Sequence, residues 1–290
     1  MELGYHLANL TYPNGAAALP DDLTAMAQAV EQAGFTKLSV MDHVFQIGPV
    51  GPIDDDMLEA YTTLGYLAAR TEKIQLLTWV TAVSYRDPGL LAKIVTTLDV
   101  LSKGRAWLGI GAAWNEEEAR GLGLFFPDTK ERFERLEETL QICLQMWAED
   151  DAPYRGTHYT LERTLNVPQS IRRPHPPILI GGGGEKKTLR FVAQYAQACN
   201  LFAGPELQHK LDVLKRHCDD VGRDYDDIEK TVMAQLDPGK DGERADQVLE
   251  QLRELSALGI QHVHTRAPEQ DELPYVHVYG DKIIPAAREL

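Results

Sequence analysis

Strand-like and helix-like runs alternate along this chain from end to end, and that order limits its fold more than any other feature. Leu3–Leu7 is a short apolar run. Asp21–Gly34 reads as helix, because Leu23, Met26, Ala27 and Val30 keep helical spacing and Gly34 stops it. Lys37–Met41 is strand-like, Asp55–Arg70 helical, Ile74–Val80 strand-like, and Pro88–Leu101 helical with proline in its first turn. Ala106–Ile110 is a fourth strand. A long amphipathic helix, Asp128–Ala148, and a small hairpin, Tyr154–Leu161, then interrupt the alternation before the Pro-rich link Arg173–Pro177. It resumes with strands at Ile178–Gly181, Cys199–Ala203, Thr231–Leu236 and His262–Thr265. Helices follow these strands at Lys186–Ala198, Leu207–Val221, Ala245–Leu258 and from the last strand to Leu290. Eight such units in 290 residues favour a (β/α)8 TIM barrel over an open doubly wound sheet, with residues 1–290 forming one domain. An open sheet would usually carry its glycine fingerprint after the first strand, where this chain has Ala8-Asn-Leu-Thr-Tyr-Pro13.

In a barrel of this kind the chemistry sits at the C-terminal strand ends. The first strand ends at His6 and the second in Met41-Asp42-His43. The third ends around Trp79-Val80-Thr81 and the fourth in Gly109-Ile-Gly111-Ala-Ala-Trp114-Asn115. The fifth runs into Gly181–Gly184. A histidine near neutral pKa suits proton transfer, which makes Asp42-His43 the best acid–base candidate. The same pair also reads as a turn-capping Asp beside a packed His. Four glycines before a helix start let backbone N–H groups approach an anion, so Gly182, Gly183 and Gly184 read as a phosphate site. Lys186 and Lys187 either supply charge there or are simply solvated. Trp79 and Trp114 can wall a pocket for a planar ligand. The histidines show no metal-ligand spacing beyond the weak His262/His264 pair, so no metal is expected.

Composition narrows the partners. A formal charge of −15 repels nucleic acid and anionic membranes. No apolar run reaches the roughly 18 residues of a membrane span. The N-terminus lacks a signal-like pattern, and three unpaired-looking cysteines fit a reducing compartment, so a cytoplasmic location is expected.

Several segments together resemble the bacterial luciferase-like superfamily, in particular its coenzyme F420 (deazaflavin)-dependent oxidoreductase branch. They are Ser39-Val-Met-Asp-His43, Tyr85–Lys93, Thr97–Arg105, Leu108–Glu118, Arg132–Glu138 and Arg173–Gly184. The resemblance covers almost the whole chain. It implies a TIM barrel with insertions at the strand ends, often a homodimer. The deazaflavin ring would lie across the barrel mouth with its phosphate on Gly182, Gly183 and Gly184. Asp42 and His43 would lie near the ring, with His43 as the proton-transfer residue. His6, Trp79, Val80, Gly111, Trp114, Asn115, Asn200 and Phe202 would complete the cofactor site. Trp79-Val80 falls where the family often has a non-proline cis peptide.

The implied reaction is hydride transfer between the deazaflavin C5 and a small organic substrate. Two alternatives stand beside it. One is an FMN-dependent luciferase-like monooxygenase that uses reduced flavin and oxygen, with a separate reductase as partner. The other is a non-catalytic barrel that binds a flavin or deazaflavin. One departure matters: in the sugar-phosphate dehydrogenase subgroup a Glu follows the glycines of the fourth strand, and here Trp114 takes that position, with Asn115 next. That argues against sugar-phosphate oxidation.

Overall fold

The computed structural model describes all 290 residues. Its strands are β1 (Glu2–Leu7), β2 (Lys37–Val40), β3 (Gln75–Thr78), β4 (Thr81–Ala82), β5 (Leu108–Gly111), β6 (Tyr154–Arg155), β7 (Thr160–Leu161), β8 (Ile178–Gly181), β9 (Ala198–Phe202), β10 (Glu229–Met233) and β11 (His262–Thr265). All but the β6–β7 hairpin join one parallel sheet in the order β3-β2-β1-β11-β10-β9-β8-β5-β4. β3 and β4 are two halves of a single stave. The lower half pairs with β2 (Leu38 opposite Leu76), and the upper half pairs with β5 (Thr81 opposite Ile110). A bridge between Leu76 and Ala106 closes the ring, so the nine strands make eight staves of a (β/α)8 barrel. The Trp79–Val80 peptide between the halves is cis, as the resemblance implied.

The surrounding helices are α1 (Leu19–Ala33), α2 (Ala60–Ala68), α3 (Pro88–Leu101), α4 (Glu116–Gly121), α5 (Thr129–Trp147), α6 (Thr188–Tyr195), α7 (Leu207–Val221), α8 (Ala245–Ala257), α9 (Leu273–Val278) and α10 (Ile284–Ala287). Their apolar faces and the outward faces of the strands form one continuous core that includes Leu38, Leu76, Leu108, Ile180 and Val263. Inside the barrel the character changes. Lys37 pairs with Glu229 and lies over the Trp107 ring at 4.7 Å, closing the floor at the first residues of β2 and β10. Gly4 leaves room for the His262 and His264 rings, which a Cβ there would meet at 2.7 and 2.6 Å. Glycines also line the wall beside Val80. A Cβ on Gly111 would sit 2.9 Å from the Val80 side chain, and one on Gly181 3.1 Å from it.

Three expectations need correction. Residues 55–59 are not helical, because Asp55 accepts a hydrogen bond from Asn9 at 2.7 Å and Glu59 caps α2 through the Thr62 N–H. The helix expected over Lys186–Ala198 is α6 alone, and Ala198 already belongs to β9. The segment after β11 is not one helix. It is a loop followed by α9, a wide turn of π-helix at Tyr279–Ile283, and α10. Cys143, Cys199 and Cys218 are buried and free, and burial pushes the thiols of Cys143 and Cys199 up to about 12 and about 11, far from reactive values. No helix is long and apolar enough to cross a membrane.

Candidate active site

The segment after β2 fixes the first part of the site. His43 lies in the loop just past β2, after Met41 and Asp42, and its Nδ1 meets Glu118 Oε1 at 2.5 Å. Glu118 lies in the first turns of α4 and is 1% exposed. Its carboxylate also accepts from the Tyr85 hydroxyl at 2.8 Å, the Val44 N–H at 2.8 Å and the Phe45 N–H at 3.2 Å. Burial alone would push this carboxyl up. The bonds from His43, Val44 and Tyr85 outweigh it and hold the group below the ordinary carboxylate value. An ionised carboxylate is acceptor-only, so His43 Nδ1 carries the proton and Nε2 is the nitrogen left to exchange one. The His43 ring stands edge-on to Trp114 at 5.3 Å between centroids.

Asp42 has a different place from the one expected. It is buried, and Arg86 binds it with both arms at 2.8 and 2.9 Å while the Ala82 N–H donates to it at 2.9 Å. Arg86 also reaches Glu59 and lies over the Tyr61 ring at 4.8 Å. Both Asp42 oxygens accept hydrogen bonds that tie the β2 end to β4 and the turn after it. Asp42 positions this wall of the mouth through the bonds from Arg86 and Ala82.

The glycine turn after β8 is across the mouth, three staves away. Gly182 adopts a φ of +119°, and its N–H donates to the Asn200 carbonyl at 3.1 Å. The N–H groups of Gly183 and Gly184 donate to no group of the chain. The side chain behind the turn is Lys210 from α7, whose Cε would lie 3.8 Å from a Cβ at Gly183. It is held by Glu185 at 2.6 Å. Lys186 and Lys187, read either as supplying charge or as solvated, are exposed. Two free N–H groups, an uncapped α6 start and a lysine make a cradle that suits a phosphate.

Between these two walls lie the remaining expected residues. The Trp79 ring stacks on His264 with centroids 3.5 Å apart. His6 is buried, and its Nδ1 meets Ser39 Oγ at 2.8 Å. Val80, Gly111 and Gly181 form the close-packed side described above. Asn200 is buried inside the barrel with Thr231 Oγ1 at 3.3 Å from its Oδ1. Phe202, at the top of β9, is 69% exposed. Trp114, 63% exposed, and Asn115 line a cavity of about 720 Å³ with Phe45, Ile47, Pro52 and Ile53. The structure thus brings Trp114 beside His43, while the glycine turn ends β8, the neighbour of the β5 strand that leads to Trp114 and Asn115.

Sequence reasoning missed Glu118, Tyr85 and Arg86 as parts of the site. Glu118 is the last of three consecutive glutamates, and only the helical phase of α4 selects it. Tyr85 and Arg86 lie in the turn after β4, and their partners are 33 and 44 residues away in the chain.

A family model described as luciferase-like monooxygenase matches residues 1–279. An F420-dependent glucose-6-phosphate dehydrogenase of Segniliparus rotundus is 27% identical over 93% of this chain and 95% of its own length. Among solved structures, an F420-dependent secondary alcohol dehydrogenase in complex with an F420-acetone adduct superposes with a TM-score of 0.82 at 18% identity, covering 99% of each chain. A monooxygenase from Streptomyces bottropensis superposes with a TM-score of 0.81, also at 18% identity, over 98% of this chain and 99% of its own.

Proposed function

The chain belongs to the luciferase-like monooxygenase family, and from that premise we propose that it is a coenzyme F420-dependent oxidoreductase acting on a small organic molecule. The observation that carries this reading is the pairing of a phosphate cradle at Gly183–Gly184 with a histidine of fixed tautomer across the same barrel mouth. Relatives that are full-length matches are F420-dependent dehydrogenases, which supports the deazaflavin over FMN.

When bound, the deazaflavin supplies or accepts a hydride at its C5. The chain's own residues do the rest. The Gly183 and Gly184 N–H groups and Lys210 hold the phosphate, and Asn200 fixes the turn through Gly182. Trp79, Val80, Gly111 and Phe202 provide apolar and flat surface for the ring, and His6 borders it. Trp114 and Asn115 border the acceptor's cavity. His43 moves the proton at Nε2, and Glu118 keeps Nδ1 protonated. Glucose 6-phosphate belongs to the relatives' names, and the Trp114 departure argues against it here. We further propose that the protein is cytoplasmic and homodimeric, with a separate reductase supplying reduced cofactor.

Anaerobic turnover tests the reading. Protein, reduced F420 and a panel of aldehydes, ketones, enones and nitroarenes are mixed without oxygen, and return of the oxidised deazaflavin is followed. Acceptor-dependent oxidation is expected, and His43→Ala should slow it by about 10²-fold or more with F420 affinity unchanged. Full activity in that variant would return His43 to a packing role, and turnover only with FMN and oxygen would move the protein to the monooxygenases.

A further inference from the structure

A second, smaller cavity of about 60 Å³ opens at the same mouth between the ends of β1 and β11. Its polar wall is His6, Asn9, Arg266, Glu269, Gln270 and Glu272. Most of these groups are already committed. Asn9 gives its amide N–H to Asp55 and takes the Thr11 N–H on its oxygen. Glu269 is held by Lys240 at 3.0 Å. Among the charged groups Arg266 is the exception. It is half-buried, no carboxylate lies within ion-pair distance of it, and its one hydrogen bond is to the Pro49 carbonyl at 3.3 Å. A guanidinium left without an acid at an enzyme mouth is a recognition element, because its planar fork matches an oxyanion.

Glu272 explains why no internal acid takes that role. It is buried, and the Tyr5 hydroxyl donates to its Oε2 at 2.5 Å. Burial pushes its carboxyl up to about 7, against the opposing pull of Tyr5 and Arg266, so near neutrality it carries less charge than an ordinary carboxylate. The groups facing it are Tyr5 from β1, Tyr12 from the following loop, whose hydroxyl has no partner, and Arg266. The other neighbour in the cavity, His6, is kept neutral by burial and by Arg266. The Arg266 charge therefore has no full internal counterion.

We propose that Arg266 anchors a carboxylate of the substrate, with the 45–53 segment as the wall shared with the larger cavity. This rests on the proposed function only in placing the substrate at this mouth. The ligand class is an apolar body bearing one carboxylate. Phe45, Ile47, Ile53 and Trp114 offer the apolar surface, and Val50 and Pro49 of the same segment reach the polar cavity and Arg266. One cation beside a titrating acid suits a monoanion. A phosphate dianion would need more positive charge than this cavity holds.

A bound carboxylate raises the cost of ionising Glu272, so binding takes up protons and strengthens as pH falls through about 7. Calorimetric titration of the full chain, with and without F420, would use benzoate, benzamide and phenyl phosphate as probes. Benzoate should bind at least about tenfold more tightly than benzamide and more tightly than phenyl phosphate. Arg266→Met should weaken benzoate by about tenfold or more, Arg266→Lys by less, and the distant surface change Arg253→Met not at all. Glu272→Gln should flatten the pH dependence. Equal binding of benzoate and benzamide, no binding of benzoate, tighter phenyl phosphate, or an unaffected Arg266→Met would each overturn the assignment, provided circular dichroism shows the variants folded. F420 affinity measured in the same variants separates the two readings. Loss of F420 binding in the wild type would sink the cofactor proposal while benzoate binding still reports on Arg266.

Discussion

Glu118→Ala is expected to cut anaerobic turnover by about 10²-fold or more while changing F420 affinity little. The expectation follows from what the carboxylate holds. It fixes His43 through Nδ1, and it is also the acceptor for Tyr85, Val44 and Phe45. Removing it frees the imidazole to rotate and to change tautomer. It also leaves N–H and O–H groups without a partner, at a cost of about 1–3 kcal/mol for each that stays buried. The alanine variant should therefore melt earlier as well as turn over slowly. Glu118→Gln separates the two effects. It keeps an acceptor oxygen for the backbone N–H groups but removes the charge, so it should recover stability and not turnover. Because the folded carboxyl sits below its ordinary value of 4.5, its stabilising contribution is present above that value and is lost as pH falls through the folded one. Thermal melting of the wild type should lose this contribution on the acid side, and Glu118→Gln should not. Turnover of the alanine variant near wild-type levels would mean that His43 needs no partner.

The second large effect is expected at the glycine turn. Gly183→Asp should weaken F420 binding by more than about 100-fold, since like charges about 4–6 Å apart at an effective dielectric of about 20 cost several kcal/mol. The change is sterically mild. The nearest neighbour of a Cβ at this position is the flexible end of Lys210, at 3.8 Å, and the residue's φ is not positive. Melting temperature should therefore be nearly unchanged, so the loss can be assigned to the anion site. Gly183→Asn carries the same bulk without the charge and should lose much less. Equal losses for both variants would point to shape, and unchanged affinity in the aspartate variant would remove the phosphate from this turn.

Much of the barrel was legible because each stave announces itself locally. Leu23, Met26, Ala27 and Val30 show one helix face, Ile178–Gly181 is a short apolar run, and Gly34 marks a stop that the structure realises as a left-handed cap. The glycine turn was legible for the same reason, as four glycines between a strand and a helix start. Long-range pairing was not. Nothing local says that Asp42 is taken by Arg86, that the cation behind Gly183 is Lys210 rather than its sequence neighbours Lys186 and Lys187, or that Glu118 faces His43 while Glu116 pairs with Arg120 on the surface. Residues 55–59 misled for a related reason. Their composition suits a helix, but Asp55 is drawn to Asn9 in the loop after β1 and Glu59 serves as the cap.

Equilibrium titration of the purified protein with coenzyme F420 and, in parallel, with FMN, followed by fluorescence, tests the central claim most directly. Preferential, saturable binding of F420 that Gly183→Asp removes is the predicted result. Preferential FMN binding, or binding of neither, would contradict it.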